Sequence, residues 1–83
     1  MIIRNLTVLC YGGGFTLWHY KHDGLLGSMP YYGEFFAPAA HMFKTGDRIM
    51  VSGWSEGMDL YVAGVTKLDI RKMNDAVERH ASI

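Results

Sequence analysis

FTLWHYK, residues 15–21, comes directly after the glycine triplet 12–14, and its reading decides the fold. The run is rich in aromatic and β-branched types and carries no turn former, which marks a strand. Side chains alternate along a strand, so Phe15, Leu17 and His19 share one face while Thr16, Trp18 and Tyr20 share the other. Both faces carry bulk, and a strand apolar on both sides is covered on both sides. In so short a chain the second cover is expected to come from another subunit. The triplet ahead of it suits a turn with positive φ. A phosphate-cradling loop would need a helix next, with Lys and Ser/Thr at set offsets, and Phe15 opens a strand instead.

Outward from this strand, IIRNLTVLC (residues 2–10) reads as a strand or N-terminal arm, with 1–12 as its span. His22 to Gly33 holds Gly24, Gly27, Pro30 and Gly33 and reads as a loop. Its Leu25, Leu26, Met29, Tyr31 and Tyr32 imply that it is tucked over a core or used in contact. Pro38 fits a first helical turn and Gly46 a left-handed stop, so FAPAAHMFKTG is a short helix with Ala39, Met42 and Phe43 on its buried face. Gly46 and Asp47 make a structural turn into a strand, Arg48 to Ser52, with Ile49 and Val51 inward. Ser55 to Met58 is a hairpin connection and Leu60 to Val65 the returning strand. From Asp69 onward, Ile70, Met73, Val77 and Ala81 fall on one stripe at helical spacing, with Asp69 or Asn74 as cap. The predicted fold is mainly β: a small single-domain barrel or sandwich with one short central helix and a C-terminal helical tail over 69–83.

The chain has 83 residues, enough for one domain with a modest core. Cys10 is the only cysteine, so an intrachain disulfide and a zinc site built on cysteine pairs are both excluded. Two Trp, five Tyr, four Phe and six Met are many large groups for so small an interior. Oligomerisation is the economical support, because rings and Met are enriched at interfaces. The eight basic and eight acidic residues are interspersed, so the basic patch of a nucleic-acid binder is missing. No apolar run approaches a membrane span. The opening MIIRNLTVLCY is interrupted by Arg4 and Asn5 and does not read as a leader. A cytoplasmic location with a reduced thiol is expected, and no cofactor is implied.

Candidate chemistry is sparse. His19 and His22, three positions apart on a strand, point to opposite faces; His41 and His80 lie elsewhere, so no metal-ligand spacing is met. They read instead as imidazoles bonded to backbone or lying at the surface. Cys10 sits in an apolar run, where a thiol is usually buried and inert. Asp23, Glu34, Asp47, Glu56 and Asp59 mostly flank glycines as ordinary turn formers, and no serine lies in a nucleophile elbow. No catalytic set emerges. Trp54, in the turn GWSEG, is the ring expected to be most exposed, and Trp18 and Trp54 are the candidate contacts of a small module that grips a peptide or glycan. Phe15, Trp18, Tyr20, Tyr31, Tyr32, Phe35 and Phe36 are the candidate oligomer interface.

Taken together, FTLWHYK, YYGEFFAPAAHMFK, TGDRIMVSG and LYVAGVT resemble a group of short phage and prophage proteins. The likeness spans Phe15 to Thr66, and FTLWHYK and GDRIMV are its most specific parts. Such proteins are uncharacterised, are encoded among virion structural genes and are suspected of being head- or tail-associated. The resemblance implies a structural, virion-associated protein with other virion proteins as partners; the aromatic surfaces are expected to assemble it as a homo-oligomer, trimeric or otherwise cyclic. It brings no catalytic residue with it. The charged ending DIRKMNDAVERHASI departs from the β-rich, polar ending of the group.

Overall fold

A computed structural model describes residues 1–29 and 31–73. Its centre is one five-stranded sheet in the order β1-β2-β3-β4-β5. The strands are β1 (Leu6–Gly12), β2 (Phe15–Lys21), β3 (Arg48–Ser52), β4 (Gly57–Gly64) and β5 (Asp69–Lys72). β2 and β3 are parallel and the other neighbours antiparallel. The mainly-β, small-domain expectation holds. The sheet is not closed into a barrel: β1 and β5 are its two edges. Its second layer is built of short helices and loop.

Parallel neighbours need a crossover, because no tight turn can return a chain to run in the same direction. Residues 22–47 provide it. They hold a 3-10 turn (Leu26–Ser28), the one-turn helix α1 (Tyr32–Phe35) and a 3-10 helix (Ala37–Met42). The last has Pro38 in its first turn, where the missing N–H costs nothing. Its length of 6 residues is short for a stable α-helix. Phe36, Ala39 and Phe43 face inward, whereas Met42 is turned outward, contrary to the expected face. Tyr31–Phe36 is accordingly a helical turn and its flanks, not an open loop.

The core lies between this layer and one sheet face. Strand alternation places Trp18, Tyr20, Ile49, Val51, Leu60, Val62 and Ile70 on that face, all buried. Leu26, Met29, Phe36, Ala39 and Phe43 pack on them. The rings meet edge to face: Trp18 with Phe43 at 5.3 Å, Tyr20 with Phe36 at 5.3 Å and with Phe35 at 5.5 Å. Such pairs add about 0.5–1.5 kcal/mol each beyond their area. Gly33 lets α1 touch the turn before β5, since a Cβ there would collide with the Leu68 carbonyl.

Two turns fix the register. Gly13 and Gly14 both have positive φ (57° and 86°) between the paired residues Gly12 and Phe15, as a two-residue type I′ hairpin requires. Gly46, at φ 96°, leads into Asp47, which is fully buried. β3 begins one residue too late to pair with Thr16, because its first partner is Leu17 opposite Arg48. The Asp47 carboxylate fills that place, accepting from Thr16 N–H at 2.9 Å. It also accepts from Trp18 Nε1–H (3.2 Å) and Lys44 N–H (3.0 Å). Its backbone carbonyl receives Val62 N–H at 2.8 Å. One residue thus joins β2 and the helix exit through its side chain and β4 through its backbone.

The helical tail expected over 69–83 is corrected at its start. Asp69–Lys72 pair with β4 as a strand, because four residues cannot express a helical period while β4 offers an open edge. Residues 74–83, with His80, lie outside the described residues.

Candidate interaction surface

The seven rings assigned to an interface divide. Trp18, Tyr20 and Phe36 are 6%, 2% and 0% exposed in the single chain, so they have no surface left for a second subunit and that expectation is corrected. The cause is the crossover, which covers the inner face of β2 with the chain's own helices. Phe15 lies half-buried on the outer face under the Arg48 guanidinium, 5.8 Å from its ring centre. Tyr32 and Phe35 are half-buried and Tyr31 is exposed.

The exposed apolar surface lies on β1 instead, where the sequence reading had seen only a strand or arm. Every residue from Thr7 to Gly12 is exposed. Ile2, Ile3, Val8, Leu9 and Tyr11 lead the exposed large hydrophobics on this edge, and Tyr11 reaches 77%. Cys10 is exposed as well, which corrects its expected burial. The register explains the arrangement. Leu6 and Val8 lie opposite Tyr20 and Trp18, on the core-facing side of the sheet; Leu6 is half-buried against the core, whereas Val8 is exposed. A bulge between Val8 and Cys10 inserts Leu9, so Tyr11 shares the inner side with Thr16 while Cys10 lies with Leu17 on the outer side.

An edge strand leaves a row of backbone N–H and C=O groups pointing away from its sheet. Leu6 N–H closes the preceding 3-10 turn on Ile3 O; among the described residues, Thr7–Gly12 make no hydrogen bond beyond their ladder to β2. No charged residue interrupts LTVLCYG. The opposite edge differs: β5 is DIRK, and Arg71 bonds Asp69 through Nη2 at 2.8 Å. That hydrogen bond lowers the Asp69 pKa, slight desolvation opposes it, and the Arg71 charge lowers it further. Charges of this kind blunt an edge, and β1 has none.

A second cluster gathers where β2 and β3 end. The loop after β2 is laced to the β3–β4 hairpin: His22 N–H to Ser52 O, Trp54 N–H to Gly24 O, and Leu26 N–H to Glu56 Oε1. Trp54 Nε1–H donates to Asp23 Oδ1 at 2.9 Å, yet its ring is 70% exposed. Gly53 is pressed against Leu26 and the Gly24 carbonyl. His19 Nε2 meets Ser52 Oγ at 2.8 Å and His22 Nε2 meets Ser28 Oγ at 3.1 Å; both contacts are solvent-exposed and made to hydroxyls, which fits the surface alternative and not the backbone-bonded one. His41 is exposed on the 3-10 helix. Among the described residues no three His, Cys, Asp or Glu side chains converge as metal ligands, and no helix is long and apolar enough to cross a membrane. No family model, curated protein or solved structure matches this chain.

Proposed function

We propose that this chain is a non-enzymatic structural protein that works by self-assembly, in the manner of the phage and prophage virion components it resembles. The observation that carries the reading is the uncharged edge strand β1, exposed from Thr7 to Gly12, with Val8, Leu9 and Tyr11 open to solvent upon it. Large exposed apolar patches on a small protein mark contact surfaces. The contact is made by this edge, with the half-buried Phe15 beside it, and not by the rings of Trp18, Tyr20 and Phe36. Other virion proteins would be its further partners, in a particle or in the cytoplasm where it is built. Sedimentation at micromolar concentration tests this directly. A mass at a multiple of the 9.4 kDa chain is expected, and a strictly monomeric species would overturn it.

A second reading has its own observation. Trp54 is held by Asp23 and by the loop backbone while its ring stays open to solvent. A rigid ring of this kind suits a small module that grips a peptide or glycan. A monomer whose tryptophan emission shifts with glycans or peptides, and loses that response in Trp54→Ala, would select this reading.

A further inference from the structure

We infer that two copies of this chain pair antiparallel along the first half of β1, with Thr7 opposite Thr7 of the second copy across a two-fold axis. This rests on the assembly reading above and adds the partner surface and its register.

A second copy is favoured as the occupant by the contrast between the two edges. Joining β1 to β5 of another copy would set LTVLCYG against DIRK, burying Asp69, Arg71 and Lys72 beside an apolar strand. Burying charges that way is costly unless each is paired. Pairing β1 with itself buries no charge. It also closes after two copies, as a surface that recognises itself must. The same strand supplies both backbone ladders and both apolar rows.

The register follows from the bulge. Cross-strand neighbours share a sheet face. Leu6 and Val8 lie on the inner side and Thr7 on the outer side, but beyond Leu9 the sides exchange, with Cys10 outward and Tyr11 inward. A pairing that ran across the bulge about Leu9 would set inner Val8 against outer Cys10. Pairing about Thr7 keeps the faces in order, with Leu6 opposite Val8 of the second copy and Thr7 opposite itself. Thr–Thr pairs are favourable cross-strand neighbours. Ile2, Ile3 and Leu9, each about half exposed, flank this short ladder and widen the apolar contact toward the area of about 800 Å² per partner that a stable interface needs.

The test combines a charge at the axis with a distance. Thr7 is exposed, so Thr7→Lys leaves the core untouched and sets two ammonium groups face to face. Sedimentation of wild type, Thr7→Lys and a control Thr66→Lys in the exposed β4–β5 turn should show dimer, monomer and dimer. The Thr7→Lys dissociation constant should rise on the order of 100-fold, as like-charge juxtaposition costs several kcal/mol. In parallel, a nitroxide on the native Cys10 of wild type reports geometry. Cys10 lies three positions from the axis in each copy, so the labels should be separated along the strands by roughly 20 Å, at about 3.3 Å per residue. An unchanged dimer in Thr7→Lys, or a label distance far from this, overturns the edge pairing while leaving assembly intact. A wild-type monomer overturns both. If Thr7→Lys loses its native circular dichroism, the wild-type label distance decides alone.

Discussion

Asp47 is the residue on which most of the architecture converges. Its carboxyl group has no exposure, and it is tolerated because both oxygens are engaged by N–H donors from Thr16, Trp18 and Lys44. Buried polar groups left without partners cost about 1–3 kcal/mol each. Asp47→Ala strands the buried donors of Thr16 and Trp18, so it should lower stability by ~3 kcal/mol or more, read as a fall in urea midpoint at unchanged slope. Asp47→Asn should fall between the two, because its amide must turn one donor toward another. The turn position of Gly46–Asp47 was legible from the sequence, since glycine before aspartate is ordinary turn chemistry. The buried network was not. It depends on β3 starting one residue late against β2, which no local pattern reveals.

At the scale of elements, alternation in FTLWHYK sorted the two faces of β2 correctly, and Ile49 and Val51 were legible in the same way. What alternation could not say was which element would do the covering. An apolar face reads the same whether its own crossover or another molecule lies on it, so Trp18, Tyr20 and Phe36 were assigned outward although they face inward. β1 shows the reverse error. The apolar run around Cys10 suggests a buried thiol, whereas the sheet extends past the layer that covers it and leaves Cys10 exposed. β5 was read as helix because Ile70 and Met73 fit a helical stripe, and four residues carry too little pattern to decide. The β5 edge also carries a pH prediction. The Arg71 hydrogen bond holds the folded-state Asp69 carboxyl below its usual range. The pair therefore contributes stability above the unfolded-state value, about 3.9, and loses it as pH falls through the lower folded value. Urea midpoints of wild type and Asp69→Asn should converge at acid pH. They should also converge in high salt, because both side chains are about half exposed.

For the whole molecule, the described residues carry one one-sided core, and a domain of 83 residues is stable only by a narrow margin. If assembly stabilises the fold, its melting temperature must rise with protein concentration. Calorimetric scans across a 100-fold range, about the ratio that makes mass action visible, should show that rise; an invariant midpoint would remove subunit contact as a source of stability. The parallel seam has a separate consequence. β1 with β2, and β3 with β4, are neighbours along the chain, whereas Leu17 meets Arg48 across a span of 31 positions (48 minus 17). Closing that long loop costs entropy before any contact repays it. Two local hairpins should therefore be in place first, with the molecule completed when the seam zips and the Asp47 carboxylate reaches Thr16 and Trp18. Until that last step each half leaves an open edge, so the interval before zipping is when a nascent chain is most prone to clump with its neighbours.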